Sequence, residues 1–219
     1  MLEKVTLPSY TKGEELCNSI SHAIGILFGI FSMIYFVMQA TTKSSLWGSV
    51  VYCASTIVLY FSSTMYHSVK KEKIKKIFRL IDHTAIFIMI TGIVLGLNII
   101  TIYPVNKTLS IAGTVVSLVI TIVGITLTFV NQEKYKNVQM VLYVAISCIA
   151  IFGAKTLYDT HESGVAIITL MTAGGIVYGT GMAFYIISKK KNLKYFHSIF
   201  HCFVLAGTFI QFFAVLKAI

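Results

Sequence analysis

Lys194-Tyr195-Phe196-His197-Ser198-Ile199-Phe200-His201-Cys202-Phe203 opens the last long apolar run of the chain. His197 and His201 stand four apart, so a helix puts both imidazoles on one face, one turn from each other. The run that follows is long and apolar enough to cross a bilayer. Ionisable rings at the edge of such a span are costly unless something pairs with them, which marks them as candidate functional residues.

The composition agrees with a membrane setting. The 219 residues are 56% hydrophobic and 12% charged, with mean hydropathy +0.81. A soluble domain carries roughly twice that share of charge. The net charge of +10 does not point to nucleic acid, because the lysines gather between apolar runs as cytoplasmic loop charges do. Cys17, Cys53, Cys148 and Cys202 show no paired spacing. No disulfide framework is expected, and the cysteines in or beside apolar segments read as small buried hydrophobes. The stretch 1–17 is polar, so no cleaved signal peptide is expected.

A spanning helix needs about 20 mostly apolar residues. Seven such runs are predicted, at about 19–40, 46–67, 80–102, 109–130, 137–158, 163–187 and 196–217. The fold class expected is therefore an all-α integral membrane protein. Its domain would be a seven-transmembrane helix bundle over 19–219 behind a cytoplasmic tail at 1–18. Lys4 and Lys12, the cluster Lys70, Lys71, Lys73, Lys75, Lys76 and Arg79, the pair Lys134 and Lys136, and Lys189, Lys190, Lys191 and Lys194 all fall on one side. Lys43, Lys107, Lys155 and Lys217 fall on the other. The fourteen should face the cytoplasm, with the N-terminus inside and the C-terminus outside a multi-pass plasma-membrane protein.

Placed on this frame, the unusual polar residues share one leaflet. Glu15, Asn18 and His22 form a stripe entering the first span, Ser63 and His67 close the second, and Asp82 and His83 open the third. One histidine of the second span and two of the seventh supply three nitrogen ligands, and three protein ligands with an open position is the pattern of a catalytic metal site. Asp82 is then a proton acceptor, Ser63 a hydrogen-bonding neighbour, and Glu15, Asn18 and His22 the groups that orient the ligands. Each also has a plainer role. A histidine at a helix end sits at an interface, Asp82 suits a helix N-terminus, and Ser63 can bond its own backbone. His83 points about 100° away from Asp82 and is left outside the site, and His161 reads as a solvated loop residue. In the sixth span, Gly174, Gly175, Tyr178, Gly179 and Tyr185 read as close helix packing, with Tyr178 and Tyr185 as alternative cavity lining.

Five motifs in order resemble the haemolysin III family, the bacterial branch of the progestin and adipoQ receptor proteins. They are Glu15-Leu16-Cys17-Asn18-Ser19-Ile20-Ser21-His22, Ser63-Thr64-Met65-Tyr66-His67, Ile81-Asp82-His83-Thr84-Ala85-Ile86, Gly174-Gly175-Ile176-Val177-Tyr178, and the run from Phe196 to Gly207. The resemblance implies a seven-helix fold with a cytoplasmic N-terminus. It also implies Zn2+ on His67, His197 and His201, with Asp82 and Ser63 beside it. The sequence departs from the family where Gly92 is followed by Ile93-Val94-Leu95-Gly96, so a Thr, a Tyr and a Pro common there are missing. The function expected is a zinc-dependent hydrolase of a lipid amide or ester, akin to alkaline ceramidases and serving membrane lipid homeostasis. The alternative is a non-enzymatic sensor or receptor-like regulator of membrane state with a structural zinc. Pore formation is disfavoured because no long amphipathic segment is present, and metal transport because the ionisable residues stay in one leaflet. Membrane lipids are the expected substrate or ligand. The lysine-rich loops suit anionic headgroups, and nothing names a protein partner.

Overall fold

The computed structural model describes residues 2–191 and 193–219, with the side chains of residues 188–191 excepted. The side chains of Lys189, Lys190 and Lys191, counted above among the loop charges, thus lie outside the described residues. Six helices follow a short turn at Leu2–Lys4: α1 Lys12–Gln39, α2 Lys43–Ser68, α3 Glu72–Leu97, α4 Lys107–Thr160, α5 Gly164–Lys191 and α6 Phe196–Ala218. No strand occurs among the described residues, and all six helices are long and apolar enough to cross a membrane.

Local chemistry sets the helix ends. Thr11 and Glu14 form a reciprocal capping box at the start of α1, which satisfies amide donors that the first turn leaves unpaired. Thr42 and Ser45 do the same for α2. α3 continues as a π-helical turn over Asn98–Ile102, and Asn98 Nδ2 donates to Ser110 O at 2.9 Å and to Thr114 Oγ1 at 3.2 Å across to α4.

The 54 residues of α4 would extend about 81 Å if straight, against a hydrocarbon core of about 30 Å. They do not run straight. Asn131 has non-helical φ −169° and ψ 94°, and its Oδ1 accepts from Lys134 N at 3.1 Å. A Cβ added at Gly113 would lie 3.6 Å from Ile149, whereas a straight helix would hold those residues about 54 Å apart. The chain therefore doubles back at Asn131. Gln139 Nε2 donates to Thr128 Oγ1 at 3.0 Å across the two arms. The two predicted runs at 109–130 and 137–158 are these arms.

The interior mixes hydroxyls with apolar side chains, and the exterior is apolar. Ser49, Ser55, Thr56, Ser62, Thr91, Ser117, Thr121 and Thr128 are buried, while Leu27, Met38, Val141, Ile151 and Phe152 face outward. In a bilayer apolar burial does not drive helix association; close approach and interhelical hydrogen bonds do. Gly48 and Gly96 let α2 and α3 meet backbone to backbone, since a Cβ at either would lie 2.5 or 2.7 Å from the other's carbonyl oxygen. Thr91 and Thr121 hydrogen-bond between α3 and α4.

Several expectations need correction. α1 begins at Lys12 and α3 at Glu72, both before the apolar runs at 19 and 80, because the polar first turn of α1 is capped and that of α3 is held by the Glu72–Lys76 and Glu15–Lys75 pairs. Among the cysteines, Cys53 is buried but Cys17, Cys148 and Cys202 are exposed; an apolar residue of a membrane helix need not turn inward. In α5, a Cβ at Gly175 or Gly179 would meet nothing within 4 Å. The close approach falls on the neighbouring face, where Gly174 meets Gln211 and Gly181 meets Phe203. Arg79 is no loop charge; it is buried within α3, 3% exposed.

Candidate metal centre

Two helix ends converge on one point. His67 lies in the last turn of α2, and His197 and His201 in the first two turns of α6. Their ring nitrogens lie within 4.8 Å of one another. Nε2 of His197 is 3.1 Å from Nε2 of His201, and Nε2 of His67 is buried with no protein partner. Nitrogens on one tetrahedral zinc, each at about 2.0–2.1 Å, would be about 3.3 Å apart. The spacing and the orphaned Nε2 both fit a shared cation.

The opposite ring nitrogens are held from behind by α1. Glu15 Oε2 lies 2.6 Å from His67 Nδ1 and its Oε1 accepts from Lys75 Nζ at 2.7 Å. A carboxylate at that distance accepts a hydrogen bond from Nδ1–H, which keeps the proton there and leaves the Nε2 lone pair facing the cluster. His201 Nδ1 donates to Asn18 O at 3.2 Å. Asn18 also receives the Ser198 hydroxyl on Oδ1 at 2.6 Å and sets its amide 3.4 Å from His67 Nδ1. His22 stacks on His201 with centroids 3.7 Å apart. The predicted stripe of Glu15, Asn18 and His22 thus lies directly behind the histidines.

Asp82 is buried at the start of α3. It adjoins Ser63 at a geometry short of an ordinary hydrogen bond, for the Ser63 hydroxyl has no partner of normal length. His83 sets its Nδ1 2.9 Å from Arg79 O and 3.8 Å from Asp82 Oδ2. His161 stays in the connection after α4, its Nδ1 accepting from Ser163 N at 3.1 Å.

Behind the cluster runs a buried polar network. Tyr60 hydroxyl meets Thr208 Oγ1 at 2.5 Å, Tyr178 hydroxyl meets the same atom at 2.9 Å, and Tyr178 also donates to Gln211 at 3.2 Å. Gly207 leaves room for Tyr178, since a Cβ there would lie 2.6 Å from its ring. Tyr178 and Gly175 line a largely apolar cavity of about 570 Å³ between α3, α4 and α5. Tyr185 lines a second cavity, of about 630 Å³, that ends on His197.

Three residues there were not singled out by spacing. Tyr10 stacks on His197 at 5.2 Å and lies 5.7 Å from His67. Burial pushes its phenol well above the ordinary value, so it stays protonated. Arg79 donates to Tyr66 hydroxyl at 3.2 Å and to Glu133 at 3.0 Å. Tyr10 sits in a polar tail without periodicity, and the Arg79–Glu133 pair joins residues 54 apart, so neither leaves a local pattern.

Comparison with known proteins shows the family. The family model described as Haemolysin-III related matches residues 10–212. The chain is 31% identical over 214 residues to the "Hemolysin-3 homolog" of Bacillus subtilis (strain 168), covering 94% of this chain and 95% of that protein. It is 32% identical over 221 residues to the "Hemolysin-3" of Bacillus cereus, covering 99% and 96%. The chain belongs to the haemolysin III family and is a multi-pass cell-membrane protein.

Proposed function

We propose that the protein is a zinc-dependent membrane hydrolase of a lipid amide or ester, contributing to membrane lipid homeostasis. The observation that carries this reading is the convergence of three imidazoles whose far nitrogens on His67 and His201 are held by Glu15 and Asn18. His67, His197 and His201 would hold the ion. Bound there, zinc supplies Lewis acidity towards a carbonyl and makes attack by water feasible near neutral pH.

The chain's own residues do the rest. Asp82 takes a proton from the attacking water as its oxygen bonds to the acyl carbon. It returns that proton to the amine or alkoxide as the C–N or C–O bond breaks. The Ser63 hydroxyl beside it steadies the carboxylate or a substrate oxygen. Both arms of α4 cross the bilayer, giving seven crossings, and the lysine distribution sets the histidine end in the cytoplasm and the C-terminus outside. Membrane lipids are then the substrate, and the lysine-rich loops meet anionic headgroups.

Metal content of detergent-purified protein tests the site. About one zinc per chain, as in other structural and catalytic sites of this ligand type, is expected in wild type and lost in His67→Ala and His197→Ala. Wild type without metal would sink the reading. The same cluster ties α2 to α6, which also supports a second reading, a membrane-state sensor clamped by zinc. Asp82→Asn separates the two: a hydrolase loses turnover on a panel of ceramides, acyl amides and phospholipids, whereas a sensor keeps its cellular function.

A further inference from the structure

The stretch between the first turn and α1, Val5 to Thr11, passes over the open side of the histidine cluster. It is pinned at two ends. Val5 is buried and Thr6 Oγ1 donates to Glu133 Oε1 at 3.2 Å; at the other end Tyr10 lies nearly parallel to the His197 ring, 15° between planes. Beneath it lies the cavity of about 630 Å³, bounded by Leu7, Arg79, Tyr185, Lys194 and His197. A fixed plug would fill that space. Here a strap spans it, with polar and apolar groups in its walls and His197, of the three histidines, at its floor. Thr11, the extended residue that caps α1, is the point about which it can swing.

We propose that Val5–Thr11 is a lid whose latch is the Tyr10 ring on His197, and that its opening controls exchange between the histidine cluster and the aqueous phase. The inference rests on the zinc reading only for what the lid admits; the closure itself is a property of the chain.

The test therefore has a metal-free arm and a metal arm. In metal-free, full-length protein in detergent, carbethoxylation of His197 by diethylpyrocarbonate is followed by peptide mass spectrometry, with loop residue His161 as reference. Tyr10→Ala should raise the His197 rate about threefold to tenfold, the range one aromatic contact spans, and Tyr10→Phe should match wild type. Thr6→Val, remote from the histidines, should raise it by about twofold, as loss of a weak hydrogen bond would. An unchanged His197 rate in both Tyr10→Ala and Thr6→Val overturns the lid. In the metal arm, Tyr10→Ala should speed zinc uptake and chelator extraction by one factor and leave Kd unchanged. A raised Kd with only extraction faster would make Tyr10 a positioning residue for His197 and overturn the lid. Wild type that takes up no zinc would refute the zinc reading while the carbethoxylation result still decides the lid.

Discussion

Replacing Glu15 is expected to weaken metal binding in graded steps. Its carboxylate makes a 2.6 Å bond to a His67 side chain that is 0% exposed, while Glu15 itself is 21% exposed and shared with Lys75. A hydrogen bond to a charged group is worth about 1.5–3 kcal/mol net, a neutral one about 0.5–1.5 kcal/mol. Glu15→Gln keeps an oxygen that can accept from Nδ1 and loses the charge, so the difference is ~1–1.5 kcal/mol, about tenfold in Kd. Glu15→Ala loses the bond altogether and frees the imidazole to turn, so affinity should fall towards the upper part of the about 10- to 100-fold range for such supporting residues. Lys75→Met leaves the Glu15–His67 bond in place, so its effect should stay within about threefold, as for a partly exposed ion pair. The assay is zinc competition against a chromophoric chelator in detergent, run on the three variants and wild type. Equal affinities for Glu15→Ala and wild type, or a larger loss in Lys75→Met than in Glu15→Ala, would refute the claim that Glu15 aims the ring.

The remaining predictions concern packing and buried polarity, read by thermal unfolding in detergent. Thr208→Val removes the oxygen that meets both Tyr60 and Tyr178; a buried hydroxyl left unpaired costs about 1–3 kcal/mol, so Tm should drop, less if Gln211 retains Tyr178. Gly174→Ala should destabilise by about 1–3 kcal/mol through overpacking, because its Cβ would lie 2.6 Å from Gln211 and 3.2 Å from Gly207 O, whereas Gly175→Ala and Gly179→Ala should leave Tm unchanged. Glu133→Ala should cost more than Arg79→Met, because it strands a guanidinium that is 4% exposed while the reverse leaves a carboxylate that is 27% exposed and open to water; the opposite order would refute that account.

The parts of the fold legible in the sequence were those governed by short-range period. His197 and His201 belong to one helical face, as do Ser63 and His67, and Glu15, Asn18 and His22, so spacing alone predicted three polar stripes at helix ends. The hairpin in α4 was legible as two apolar runs around Asn131–Lys136. Which face of a membrane helix turns inward was not legible, because lipid and protein neighbours are both apolar. Gly174 and Gly175 are adjacent in sequence, yet one packs on α6 and the other does not. The same ambiguity made Cys148 and Cys202 read as buried, and Arg79 could be placed only by its distant partner Glu133.

The early start of α1 follows from the site itself. Glu14, Asn18 and His22 recur every four residues with Glu15 beside them, and each meets another part of the chain. Glu14 Oε1 accepts from Tyr195 N at 2.8 Å, fixing the turn where Tyr195 adopts φ 61° just before α6. A left-handed non-glycine residue costs about 1–3 kcal/mol and persists only where its surroundings hold it. Here the holding group is on α1, and the strained turn sets the register of His197 two residues later. Hydropathy places a span where apolar residues begin, but the helix begins where its polar side chains find partners. For α1 those partners are the ends of α2 and α6 that carry the three histidines. The polar opening of α1 is thus part of the centre's framework, and a substitution at Glu14 should disturb His197 through the Tyr195 backbone that Glu14 holds.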